Sequence, residues 1–250
     1  MNDEELKELL FEGAAEYGVN LSSLQLTAFI TYKDMLLDWN TRMNLTGITE
    51  GRDVIYKHFV DSLTIAKMVA DAKERSDAGE AGQISLIDVG TGAGFPGIPL
   101  KIVFPELKVV LLDSLDKRLS FLNAVIDALG LQDIETVHAR AEDGAREGAH
   151  RECYDIAVAR AVAPLSVLIE YCVPFLKSGG LFIAMKGANA QAEAQVATRA
   201  LDELGAEISA THEFEFAQIG ASRVVFEIRK TGFLSRKYPR KAGTPAKKPL

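Results

Sequence analysis

The chain has 250 residues, 48% of them hydrophobic and 25% charged, with a net charge of −7; this is the make-up of a globular protein able to hold one large domain plus a helical attachment. It contains no run of about 18 uninterrupted apolar residues, which excludes a membrane-spanning helix, and its acidic start lacks the apolar centre of a signal peptide, so a cytoplasmic location is expected. Cys153 and Cys172 have neither CxxC spacing nor a neighbouring histidine pair, and no cluster has metal-ligand spacing, so neither a disulfide scaffold nor a metal site is expected.

In chain order, Leu6, Leu9, Leu10 and Ala14 recur at helical spacing. After a break at Gly18, Ser22 or Ser23 can cap a second helix whose wide apolar face runs from Leu26 to Trp39. A third helix is expected from about Asp53 to Ala72, with Ile55, Phe59, Leu63, Ile65 and Val69 on one face. With no strand candidate, residues 1–75 read as a helical cap, and the polar stretch from Glu74 to Gln83 as its connection to the main domain, 76–231.

From Ile84 onward, short β-branched runs alternate with helical patterns. Strands are expected at Ser85 to Val89, Lys108 to Leu112, Ile134 to His138, Asp155 to Ala159, Leu181 to Lys186, Glu207 to Phe216 and Arg223 to Lys230. Helices are expected near Ile98 to Phe104, Lys117 to Gly130, Pro164 to Leu176 and Asn189 to Gly205. The alternation predicts an α/β fold with parallel strands and right-handed crossovers. The short link between the last two strands makes them an antiparallel hairpin.

Ligands of such sheets bind beyond the carboxyl ends of the strands, where the strand order switches. Beyond the first strand stands GTGAGFPG. Gly90, Gly92 and Gly94 offer a backbone that a ligand can approach closely, whereas a plain turn needs one glycine. Asp113 follows Gly90 by 23 positions, where an acid at the end of the second strand accepts from both ribose hydroxyls of an adenosine. Ser114, Ala141, Glu142, Arg160 and Lys186 end or follow later strands and are expected in the same crevice.

The chain has no Walker loop, and the nicotinamide fingerprint GxGxxG, begun at Gly90 directly after the strand, needs glycine where Phe95 stands. Pro96 and Pro99 weaken an anion site at the following helix. S-adenosyl-L-methionine, which has no phosphate, fits better, with Asp88 or the adjoining loop facing its ammonium group. A nicotinamide oxidoreductase and a cofactor-binding scaffold without turnover are the competing readings.

The segments IDVGTGAGFPGIPL, LLDSLDKRLSFL, HARAED, VARAVAPL and AMKG, preceded by NLTGI and KHFVDSL and followed by RKYPRKAGTPAKKPL, resemble the RsmG or GidB family of guanine-N7 methyltransferases of small-subunit ribosomal RNA. The resemblance covers nearly the whole chain. It implies a Rossmann-like class I methyltransferase fold and methyl transfer from S-adenosyl-L-methionine to N7 of a guanine in the 530 loop of 16S ribosomal RNA. The substrate is that RNA, the small subunit or its assembly intermediate, and the protein is expected to act as a monomer. Gly90, Gly92, Phe95, the Asp113 region, Ala141, Glu142 and Arg160 would contact the cofactor, with adenine near Ala141 and Glu142 and Arg160 close to the methyl.

Guanine N7 has a free lone pair and attacks the methyl without losing a proton, so positioning and electrostatics suffice. Arg160, near guanine O6, a phosphate or the cofactor, and Lys186, facing the crevice, are the catalytic candidates. His58, with Asp61 three positions on, reads as a structural hydrogen bond. From Arg229 to Leu250 there are eight Lys or Arg and no acid, leaving −15 on the remainder. An acidic body with a basic tail, 232–250, predicts local contact with a polyanion. Lys117, Arg118, Arg236, Lys237, Arg240 and Lys241 are the RNA-binding candidates.

Overall fold

A computed structural model describes residues 1–77, 83–146, 148–160, 162–187 and 190–250. Its centre is a seven-stranded sheet in the order β3-β2-β1-β4-β5-β7-β6. The strands are β1 Ser85–Val89, β2 Lys108–Asp113, β3 Ile134–His138, β4 Tyr154–Arg160, β5 Leu176–Lys186, β6 Ala206–Phe216 and β7 Ala221–Lys230. β1 to β5 pair in parallel, whereas β7 pairs antiparallel with both β5 and β6. This is the mostly parallel sheet with a terminal hairpin that the sequence predicts. The order reverses between β1 and β4, and their carboxyl ends open a crevice there.

Alternation along the strands sends successive side chains to opposite faces. Leu86, Leu111, Val158 and Ile183 belong to one hydrophobic core, and Ile87, Leu112, Ala159 and Ala184 to the other. On the first face lie α6 (Gly97–Val103), α7 (Asp116–Leu129) and the N-terminal helices. On the second lie α8 (Ala141–Gly144), α9 (Leu165–Cys172), α10 (Ala190–Val196) and α11 (Thr198–Leu204).

α1 (Asp3–Ala15) and α2 (Ser23–Met43) each begin with a capping box, from Asn2 with Glu5 and from Ser22 with Gln25. Each box satisfies two backbone donors that the first turn leaves open. The single third helix expected from Asp53 to Ala72 is instead three pieces, α3 (Gly51–Val54), α4 (Asp61–Leu63) and α5 (Ala66–Asp77). A π-helical stretch, Ile55–Val60, joins the first two. The Thr64 hydroxyl turns back onto the Asp61 carbonyl at 2.7 Å where the helix breaks. Apolar spacing over so short a stretch does not distinguish an α turn from a π turn, and π turns gather at functional sites. Of the connection expected from Glu74 to Gln83, the first four residues instead complete α5, and residues 78–82 lie outside the described residues, as does Asn189. The helix expected from there to Gly205 is divided into α10 and α11 at Ala197, and Gly205 closes it in the left-handed region.

The cysteines are free, Cys172 buried and Cys153 half-buried. No described helix is long and apolar enough to cross a membrane.

Candidate functional site

A cleft of about 800 Å³ opens at the switch in strand order. Its floor is the loop after β1. Gly90 and Thr91 donate backbone N–H groups to the Leu112 carbonyl at 2.8 and 3.1 Å, which ties the loop to β2. The glycines of the loop have positive φ but serve different ends. At Gly92, with φ +62°, a Cβ would meet nothing nearer than a backbone oxygen at 4.0 Å, so this residue faces open space. At Gly90 a Cβ would strike Val162, and at Gly94 it would lie 2.5 Å from the Tyr32 hydroxyl and 2.7 Å from Ile98. Gly94 is therefore required by the packing of the cap rather than by a ligand.

Asp88, expected near the cofactor's ammonium group, turns inward instead. It is fully buried; its Oδ2 accepts from the Thr91 hydroxyl at 2.7 Å and the Gly97 N–H at 2.9 Å, while Oδ1 has no partner among the described residues. Burial pushes its pKa up to about 6 against these two donors. Its part is to hold the loop to α6.

Asp113 ends β2 and faces the cleft. Its Oδ2 accepts from Gly92 N and Arg118 Nη1, at 2.9 and 3.1 Å, and its Oδ1 from Leu115 N at 2.9 Å. Arg118, read from sequence as an RNA contact, is thus bound to the acid expected to hold a ribose. Ser114, Ala141 and Glu142 continue the same wall. Glu142 Oε1 accepts the Gly243 N–H at 2.7 Å.

Opposite this wall the helical cap closes in. Phe95 is buried between the rings of His58 and Tyr32, with centroids 4.5 and 5.3 Å away, and the Arg160 guanidinium lies 4.9 Å from its centre. The Tyr32 hydroxyl donates to the Ala93 carbonyl. Arg160 Nη1 donates to the Lys57 carbonyl at 3.1 Å and to Asp61 Oδ2 at 2.8 Å, and Nη2 to His58 Nδ1 at 3.2 Å. The π-helical stretch supplies the first and third of these acceptors. A guanidinium only donates, so His58 Nδ1 is the acceptor and Nε2–H donates to Thr46 Oγ1 at 2.8 Å. Burial, reinforced by Arg160, lowers the His58 pKa to about 3. Asp61 Oδ1 accepts from Arg223 Nε of β7 at 3.0 Å. Thr46, Lys57, His58, Asp61, Arg140, Tyr171 and Arg223 line the cleft and were not singled out as site residues from sequence.

The family described as rRNA small subunit methyltransferase G matches residues 25–219. The chain belongs to this family. Proteins named ribosomal RNA small subunit methyltransferase G from Acetivibrio thermocellus and Alkaliphilus metalliredigens are 52% and 48% identical to it. The alignments cover 100% of both chains in the first case, and 98% of this chain and 99% of the relative in the second. Among solved structures, a SAM-dependent O-methyltransferase from Thermotoga maritima matches at a TM-score of 0.51 and 18% identity, covering 80% of this chain and 72% of that one. The [4+2]-cyclase SpnF matches at 0.50 and 13%, covering 68% and 82%. These likenesses show a Rossmann-like class I fold and no particular reaction, since fold and chemistry separate.

Set on this family member, the remaining candidates divide. Lys186 lines the cleft, but its ammonium is taken by the Ala163 carbonyl and by Glu193, both at 2.7 Å. Lys117 is exposed on α7, beside a smaller hollow that it shares with Arg42 and Asn44. Residues 232–250 fold back onto the body. Leu234, Tyr238 and Pro245 are buried. Arg240 pairs with the fully buried Glu170 and Lys237 with Glu203, so neither is the free RNA contact expected. Arg236 and Lys241 are exposed.

Proposed function

We propose that this family member transfers the methyl group of S-adenosylmethionine to N7 of a guanine in the 530 loop of 16S ribosomal RNA, acting on that RNA, the small subunit or an assembly intermediate. The supporting observation is the polarity of the cleft. At one end an open glycine, Gly92, stands beside two carboxylates, Asp113 and Glu142; at the other, Arg160 and Arg223 both bond Asp61, and Lys57, paired with Asp53, lines the same end. A zwitterionic nucleoside cofactor suits the first end and a polyanion the second.

When bound, S-adenosylmethionine supplies an electrophilic methyl group. Gly92 leaves room for it against the main chain. Arg118 Nη1 lies 3.5 Å from Asp113 Oδ1 and 3.1 Å from Oδ2, and is the group that the two ribose hydroxyls would displace. Glu142 Oε2 is the acceptor left for adenine. Arg160 spends three of its five N–H donors on the cap, which leaves Nε–H and one Nη2–H for guanine O6 or a phosphate. Its position is thereby fixed before substrate arrives, so little reorganisation is needed. Methylation puts positive charge on the base, which a bare guanidinium would oppose, and Asp61 offsets that charge. His58, neutral and bonded at both nitrogens, has no proton to take in a reaction that needs no base.

Incubation with methyl-labelled S-adenosylmethionine and either isolated small subunits or bare 16S ribosomal RNA, followed by nuclease digestion, is expected to place label in 7-methylguanosine. Label confined to other nucleosides, or none, overturns the proposal.

A further inference from the structure

The C-terminal segment carries charge, yet the structure spends it on the protein's own body. Glu170 on α9 is fully buried, and among the described residues Arg240 supplies its donors: the backbone N at 2.7 Å and Nε at 2.9 Å to Oε1, and Nε at 3.0 Å and Nη2 at 2.6 Å to Oε2. A carboxylate with no exposure to water is tolerated only when its lone pairs are met by a partner held in place, and a forked guanidinium meets them with fixed geometry. Both the main chain and the side chain of residue 240 are therefore pinned.

Three residues on, Gly243 adopts φ +78° and sends its N–H to Glu142 Oε1 in the cofactor wall. The same segment is tied below α8 by Arg146 Nε, which donates to the Pro239 carbonyl at 2.9 Å, and by Arg151 Nη1, which donates to that of Tyr238 at 2.7 Å. Tyr171, adjacent to Glu170 on α9, also lines the cleft. One segment thus bridges the two short helices that carry the proposed adenine wall.

We infer that residues 234–245 are a strap that sets the affinity of the cleft for its cofactor, with Arg240 and Glu170 as the positioning pair; this rests on the cleft's taking S-adenosylmethionine. Released from Arg240, the turn no longer holds Gly243 N–H against Glu142, and the carboxylate loses the bond that orients it. A charge-assisted bond of this kind corresponds to about tenfold in binding. The strap touches neither Arg160 nor Asp61, so the effect falls on cofactor binding and spares the transfer step.

The test uses the full-length protein, calorimetric titration with S-adenosylhomocysteine, and steady-state kinetics on small subunits. Arg240→Ala alone would strand a buried charge, so the informative variant is Glu170→Leu with Arg240→Leu, which removes both charges together. It is expected to bind about tenfold more weakly and to raise KM for the cofactor by the same factor, with kcat and the salt dependence of RNA binding unchanged. Arg240→Lys keeps the charge but not the fork, and is expected to weaken cofactor binding as well. Cofactor affinity at the wild-type level in both variants, or a flatter salt dependence of RNA binding with cofactor affinity unchanged, overturns the inference and restores the segment to an RNA tether. The wild-type titration keeps the two readings apart: binding heat with wild type and undiminished heat with the variants sinks the strap alone, whereas no heat with wild type sinks both.

Discussion

His58 lies flat against Phe95, with ring centroids 4.5 Å apart and planes 12° apart. One residue comes from the helical cap and the other from the glycine loop, so this contact is where cap and sheet share a site. The same imidazole accepts from Arg160 and donates to Thr46, and protonation would set two donors face to face.

That arrangement fixes the sign of a pH effect. The His58 pKa is lowered from 6.5 to about 3, so between those values the unfolded chain binds a proton that the folded chain refuses. The stabilisation is full above pH 6.5 and is lost as pH falls, at up to ~1.4 kcal/mol per pH unit. Asp88 acts in the opposite sense: its pKa is raised from 3.8 to about 6, so its contribution is present below 3.8 and lost as pH rises through 6. Comparison with His58→Gln cancels the Asp88 effect, because both proteins carry it. Urea unfolding at pH 7, 6, 5 and 4 is expected to show the stability difference between wild type and His58→Gln moving against wild type on acidification; a constant difference would exclude the neutral, bonded imidazole.

The glycines of the loop separate in the same quantitative way. Gly92→Asp enters open space at a φ that aspartate tolerates, and sets a carboxylate beside Asp113. The expected result is a folded protein destabilised by only about 1–2 kcal/mol, with cofactor affinity reduced about 100-fold. Gly94→Ala meets the Tyr32 hydroxyl and Ile98 at φ +97° and is expected to cost about 2–4 kcal/mol of stability. Calorimetry and thermal melts on the two variants check both, and the reverse pattern would exchange their roles.

These glycines also show what a sequence can carry. The strands were legible because their apolar runs are local and alternate, and the crevice residues because they stand at strand ends. Which glycine faces a ligand was not legible, since the neighbours that exclude a Cβ at Gly94, Tyr32 and Ile98, come from two other elements. Thr46, His58 and Asp61 reach the cleft from a cap more than 90 residues ahead of Arg160, and no spacing rule connects them. Arg223 read as one more strand residue because its partner, Asp61, lies in that cap. A basic, proline-bearing ending reads as a tail that meets a polyanion; its order depends on Glu170 and Glu203, acids that are distant in sequence.

Lys186 faces the cleft but is bonded to Ala163 and Glu193, and Glu193 Oε2 also accepts the Leu165 N–H at 2.7 Å. The pair fixes the start of α9 and the chain just before it, which includes the Val162 side chain beside Gly90. Lys186→Ala and Glu193→Ala are therefore expected to lower kcat/KM by similar factors, about 10–100-fold, with the double variant no worse than the weaker single. A silent Glu193→Ala beside an inactive Lys186→Ala would instead make the ammonium a catalytic group.

Electrostatic attraction to RNA falls to cations that the protein does not use itself. The side chains of Arg236 and Lys241 are exposed and make no ion pair among the described residues, whereas Lys237 is paired with Glu203 at 2.9 Å. Each phosphate that the protein ceases to neutralise lowers the slope of log affinity against log salt by about 0.7–0.9. Replacing both Arg236 and Lys241 by Ala is expected to reduce the slope by up to about twice that amount, with cofactor affinity unaltered, while Lys237→Ala changes it less because Glu203 already screens that charge. Filter binding of 16S ribosomal RNA fragments from about 50 to 200 mM salt measures all three. Equal slopes in wild type and the double variant would move the RNA-binding face to the mouth of the cleft, which Arg140 lines.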